Sequence, residues 1–138
     1  MTDTNSNRWT RSISRHAVTD WPSEFVILSA FATTGESWTP HQNERADYRL
    51  ASELRMRGGW FVRIFGYSPK SGHAEPSWAV DLPLDEGCNI GQRFLQDAIY
   101  HIKNDELSVT RCNELRALVH VGSFRDRLDP DQHSERRD

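Results

Sequence analysis

The stretch GHAEPSWAV, Gly72 to Val80, sets Glu75 and Ser77 on either side of a proline at the entrance to an otherwise apolar run. Side chains alternate along a strand, so Glu75 and Ser77 point one way while Pro76, Trp78, Val80 and Leu82 point the other. A carboxylate and a hydroxyl on one face can hold a polar ligand, or act as a general base where the carboxyl sits in a pocket that raises its pKa. Four more residues carry chemistry that would suit such a place: Ser29, Asn43, Arg45 and Tyr67. Asn43 and Arg45 lie just after Thr39-Pro40, where a helix begins and its unpaired N–H groups favour negative charge. Asn43 would read the ligand as an amide, Arg45 would supply counter-charge, and Tyr67 or Trp38 a stacking wall. An architectural use stands beside this one, in which Asn43 and Glu75 tie a loop to a strand, because buried polar groups are normally satisfied within the protein.

Other chemistries find little in the chain. His16, His41, His73, His101, His120 and His133 are scattered, without the spacing of a metal ligand set, and no metal or cofactor is expected. Phosphate-loop and dinucleotide fingerprints are absent, and no serine occupies a strand-to-helix elbow. Cys88 and Cys112 are far apart and read as two buried free thiols in a reducing compartment. A formal charge of -3 leaves no global basic field. Arg45, Arg49, Arg55, Arg57 and Arg63 are interleaved with Glu44, Asp47 and Glu53, the pattern of a solvated helix face, which argues against a nucleic-acid partner. No apolar run reaches bilayer length and the start MTDTNSNRWTR lacks the core of a secretory signal, so a cytoplasmic protein without a membrane partner is expected.

The elements that must position these residues follow from periodicity. FVILSAFAT is an apolar run of strand length. Thr39-Pro40-His41-Gln42 has the form of a capping box, predicting a helix from Pro40 to about Arg57 that stops at Gly58-Gly59. Its stripe of Asn43, Ala46, Leu50, Ala51 and Leu54 faces a sheet. WFVRIFGY and EPSWAVDL read as two strands around a hairpin. Ile90, Phe94, Ala98 and Ile102 recur at helical spacing and predict a second helix over about 89–102, with Asn89 or Asp85 as N-cap. ELSVTRC and ELRALVHVGSF give two further strands around a turn at Cys112-Asn113.

With 138 residues the chain suits one domain, placed at 24–124. It follows a partly ordered extension, 1–23, in which Trp9, Ile13 and Val18 sit in a short helix or irregular wrap, and precedes a flexible charged tail, 125–138. The fold class is α+β: a split β-α-β-β-α-β sandwich with both helices on one face of the sheet and an added C-terminal strand.

Ser29-Ala30-Phe31, Asn43, Gly66-Tyr67, Glu75-x-Ser77-Trp78 and Phe94-x-Gln96-Asp97-Ala98 together resemble the pattern of a bacterial and phage family, domain of unknown function 3293, over about Phe25 to Val109. The resemblance implies a compact α+β domain, often carried on phages or mobile elements, without an established activity. Three functions are thus expected in order. The first is binding of a polar or anionic small molecule, nucleotide-like in character, at a sheet-edge site made of Ser29, Asn43, Arg45, Tyr67, Glu75 and Ser77. The second is a protein-interaction module, such as a mobile-element inhibitor of a host defence complex, using the acidic loop 81–87 and exposed Trp21, Trp38 and Trp60. The third is an enzyme with Glu75 as general base and Asn43 as electrostatic support.

Overall fold

A computed structural model describes residues 8–11, 20–32, 38–67, 74–113 and 115–129. Five features read from the sequence lie outside these residues: the polar start 1–7, Ile13 and Val18, the loop with Thr33, Thr34 and Glu36, the hairpin connection 68–73, and the tail from 130.

The chain is α+β. In order it forms β1 (Arg8–Arg11), β2 (Glu24–Leu28), α1 (Pro40–Arg57), β3 (Phe61–Tyr67), β4 (Ala74–Val80), α2 (Leu84–Arg93), β5 (Ala98–Lys103), β6 (Glu106–Arg111), β7 (Val119–Ser123) and a 3-10 turn, Arg125–Arg127. The strands make one seven-stranded sheet in the order β1-β3-β4-β2-β5-β6-β7. Every pairing in it is antiparallel.

α1 begins and ends where its caps dictate. Thr39 Oγ1 accepts the N–H of Gln42 at 3.1 Å, and Gln42 Oε1 accepts the N–H of Thr39 at 2.8 Å. At the far end Gly58 takes φ 81°, a conformation that favours glycine, and its N–H reaches Leu54 O at 3.1 Å.

The second helix differs from expectation. It starts at Leu84 behind Pro83, rather than at Asn89, and ends at Arg93. Leu95 adopts φ 62°, and the N–H groups of Gln96 and Leu95 turn back to Gly91 O (2.8 Å) and Gln92 O (3.1 Å). This is a Schellman ending with leucine where glycine is usual. Ala98 and Ile102, which continue the helical spacing on paper, belong to β5, whose alternation sends Ile99 to one face and Tyr100 and Ile102 to the other.

Two cores occupy the two faces of the sheet. Val26, Leu28, Val80 and Ile99 meet Ala46, Leu50 and Leu54 of α1 and Cys88 and Ile90 of α2, so both helices share one side. Phe25, Ile27, Ile64, Ala79, Ile102 and Leu107 meet Trp9 and Phe124 on the other. Aromatic rings dominate this second core: Trp21 stacks on Phe25 at 5.4 Å, and Phe124 meets the edges of both.

The segment expected to be a loose tail is docked through residue 129. Phe124 and the 3-10 turn carry the chain from β7 to the opposite edge of the sheet, where Leu128 bridges Trp9 and the N–H of Asp129 donates to Trp9 O at 2.8 Å. The two sheet edges are thereby brought near each other, and the sheet curves around its aromatic face. Trp9 itself lies in a strand, not in the helix or wrap expected for it, and is fully buried.

Candidate functional site

The structure sets the six expected site residues apart and gives Ser29, Asn43 and Tyr67 partners within the chain. Ser29 is buried, and its hydroxyl accepts the N–H of Phe31 at 3.0 Å. Asn43 Oδ1 accepts the N–H of Ala32 at 2.8 Å, and Gln96 Nε2 donates to Phe31 O at 2.8 Å. Together these three side chains fix the chain as it leaves β2. Tyr67 donates its hydroxyl to Asp129 Oδ2 at 2.6 Å, and Arg8 Nε reaches Asp129 Oδ1 at 2.9 Å. That pairing pins the docked C-terminal segment. It also raises the Tyr67 hydroxyl above its ordinary value, with burial adding to the effect.

Glu75 and Ser77 share a face, as alternation requires, but it is the face away from α1. Ser77 lies opposite Ile64 and Glu75 opposite Gly66, whose absent Cβ would stand 3.2 Å from Trp9 Nε1. Trp78 and Val80 point to the helices instead. The sheet therefore separates Glu75 and Ser77 from Asn43, and the six residues do not converge. Arg45 is exposed on α1.

The helix side of β3 and β4 holds a polar cluster that the sequence left unnoticed. Arg63 forms a bidentate pair with Asp47 (3.1 and 2.5 Å), stacks over Trp78 with its guanidinium carbon 3.8 Å from the ring centroid, and reaches Ser77 O at 3.3 Å. Trp78 Nε1 completes the set by donating to Asp47 at 3.1 Å. Each polar group here has an internal partner, so the cluster clamps α1 onto the sheet.

The aromatics proposed as an interaction surface are packed as well. Trp21 and Trp60 join the aromatic core and Trp38 the helix-side core. The segment expected to be an acidic loop is helical from Leu84 on, and in it Glu86 pairs with Arg57 and Asp85 with Arg116.

Exposed apolar surface gathers elsewhere, at the end of the sheet formed by β5, β6 and β7. A groove of about 410 Å³ is lined there by Ala98, Val109, Arg111, Leu115, Ala117 and Val119, among others. Leu115 is 84 % exposed, Val119 61 % and Leu118 47 %. The turn that presents them is firmly built. Asn113 Oδ1 accepts the N–H groups of Leu115 and Arg116, and Thr110 Oγ1 donates to Ala117 O at 2.8 Å. Arg116, at φ 47°, reaches across to Asp85, Asn89 and Gln92 of α2. Arg111 stands exposed at the groove without an acidic partner among the described residues. Among those residues, too, no strand pairs with the outer edge of β7. The signal was present in ELRALVHV, whose leucines and valines exceed what one short strand can bury.

Behind this turn, Cys88 and Cys112 are free and buried. Burial raises both, Cys112 to about 12. Among the described residues, no group of three His, Cys, Asp or Glu is able to hold a metal, and no helix is long and apolar enough to cross a membrane.

A family described as protein of unknown function (DUF3293) matches residues 28–99. No curated protein and no solved structure matches the chain.

Proposed function

Since the chain belongs to the family of proteins of unknown function DUF3293, we propose that it is a protein-interaction module built on that family's core, taking up an extended partner segment along the outer edge of β7. The observation that carries this reading is the coincidence of a sheet edge left unpaired among the described residues with the groove and the exposed Leu115, Leu118 and Val119. A strand edge offers main-chain hydrogen bonds, and a neighbouring groove selects alternate side chains of the added strand. Apolar side chains enter beside Val109 and Val119, and an acidic residue of the partner meets Arg111.

The order of the four central strands, β3-β4-β2-β5, supports taking the core as a split β-α-β-β-α-β unit. β6 and β7 lie beyond the matched residues 28–99, so the proposed interaction rests on the C-terminal hairpin and not on the matched segment. The small-molecule reading draws less support, because Asn43 and Tyr67 already have internal partners and Glu75 lies across the sheet from Asn43.

Selection from a random displayed-peptide library tests the proposal. The expected winners alternate β-branched or aromatic residues with polar ones and include a carboxylate. Their binding should shift the amide resonances of β7 and be lost in Leu118→Asp/Val119→Asp. Winners that bind this variant unchanged would sink the reading, as would self-association through β7 that disappears in the same variant.

A further inference from the structure

The outer face of α1 offers a second, unrelated surface. At about 100° per residue, Arg45, Tyr48, Arg49, Ser52, Arg55 and Met56 share one arc, opposite the buried Ala46, Leu50 and Leu54. Tyr48 is 68 % exposed and Met56 88 %. In the sequence the arginines of this helix look neutralised by interleaved acids, but the folded chain spends those acids elsewhere. Asp47 turns inward to Arg63 and Trp78, and Glu53 is held by Arg93 of α2. Glu44 alone remains, at the margin of the arc. Among the described residues, Arg45, Arg49 and Arg55 have no acidic partner, and Arg55 makes only a long contact with Ser52 at 3.5 Å. A chain of net charge -3 thus presents a row of guanidinium groups spanning about 15 Å along the helix axis.

We infer that this face binds single-stranded nucleic acid. Guanidinium groups match phosphate oxygens with paired N–H donors, and three in a row suit a polyanion laid along the helix. Tyr48, three residues after Arg45 on the same arc, has its ring open to solvent, which gives an unpaired base a surface on which to stack. An acidic protein segment would satisfy the arginines but leave the tyrosine ring without a planar partner. The strip is a single arc of one helix held flat against the sheet by α1's buried residues, and its width suits one strand.

Fluorescence anisotropy with a labelled 20-nucleotide DNA of mixed sequence, and with the matching RNA, provides the test. Saturable binding is expected in 50 mM salt, weakening roughly fifteenfold by 200 mM if about three phosphates are contacted. Arg45→Ala/Arg49→Ala/Arg55→Ala should abolish it while leaving the thermal melt unchanged. Tyr48→Ala should weaken binding about tenfold with the salt slope intact, and Tyr48→Phe should retain it. Arg111→Ala, which bears on the β7 groove, should have no effect, so the two proposals fail independently. Absence of saturation at 50 mM salt, or full binding by the triple variant, overturns the inference. Equal competition by polyglutamate together with an unaffected Tyr48→Ala overturns it too, and assigns the face to an acidic protein.

Discussion

The side-chain oxygen of Asn43 accepts the backbone N–H of Ala32 at 2.8 Å, joining the first turn of α1 to the chain that has just left β2. A residue whose type and position suit ligand recognition is thereby committed to architecture. Asn43→Ala leaves that N–H without its acceptor and should cost about 1–2 kcal/mol. Asn43→Asp keeps an acceptor and adds favourable charge near a helix N-terminus, so its denaturation midpoint should stay close to wild type. If both variants match wild type in urea, the bond does not hold the loop.

Asp47 anchors the polar cluster beneath α1 by accepting from both Arg63 and Trp78. Its side chain is 16 % exposed and that of Arg63 22 %, so removing one charge leaves the other poorly hydrated. Asp47→Asn should destabilise by about 2–3 kcal/mol. Asp47→Asn/Arg63→Met should recover a good part of the loss, because a thioether side chain can still cover Trp78. A double variant no more stable than Asp47→Asn in guanidinium titration would contradict this.

Legibility in the sequence tracked how local each determinant is. Every residue that fixes α1, from Thr39 and Gln42 to Gly58, lies within one turn of the end it caps, and its bounds could be read directly. The end of α2 depends on Leu95 in a left-handed conformation, a position where sequence reasoning looks for glycine, so β5 stayed hidden inside an apparent helical repeat. β1 has four residues and owes its place to pairing with β3 far along the chain. For the site, the division of β4 into a Glu75/Ser77 face and a Trp78/Val80 face was legible. Which face meets α1 is decided by strand order, and nothing within β4 encodes it.

Gly87 lies inside α2, where alanine would ordinarily gain about 1 kcal/mol. Here an added Cβ would stand 2.9 Å from Val26 Cγ1 and 3.2 Å from Ile99 Cδ1. The close approach of α2 to β2 and β5 should reverse the usual sign, making Gly87→Ala about 1–2 kcal/mol less stable in calorimetry. Gly87→Ala combined with Val26→Ala should be less harmful than the two single effects summed, since the second change empties the space the first one fills.

The Cys88 and Cys112 thiols should be inert while the chain is folded. The thiolate is the reactive form, and burial holds both groups above their ordinary value, Cys112 at about 12. With a disulfide reagent at pH 8, no thiol should titrate in buffer and both should titrate in guanidinium. Immediate reaction of either cysteine in the native protein would show that the thiols are not shielded by the packing of α2 on the sheet.

Alkaline pH should release the docked C-terminal segment. The bond to Asp129 raises the Tyr67 hydroxyl above its ordinary value of 10.0; burial adds to this and Arg8 opposes it. A raised folded-state value means that the stabilising contribution is complete below the unfolded value near 10 and is lost as pH climbs through the folded one. As pH climbs past about 10 the wild type should therefore lose more melting temperature than Tyr67→Phe, which has no proton to give up at this position. Below pH 9 the order should invert, with Tyr67→Phe the less stable by about 1 kcal/mol for the missing hydrogen bond to a carboxylate. Parallel melting curves for the two proteins across the whole range would show that the Tyr67–Asp129 bond contributes nothing to stability.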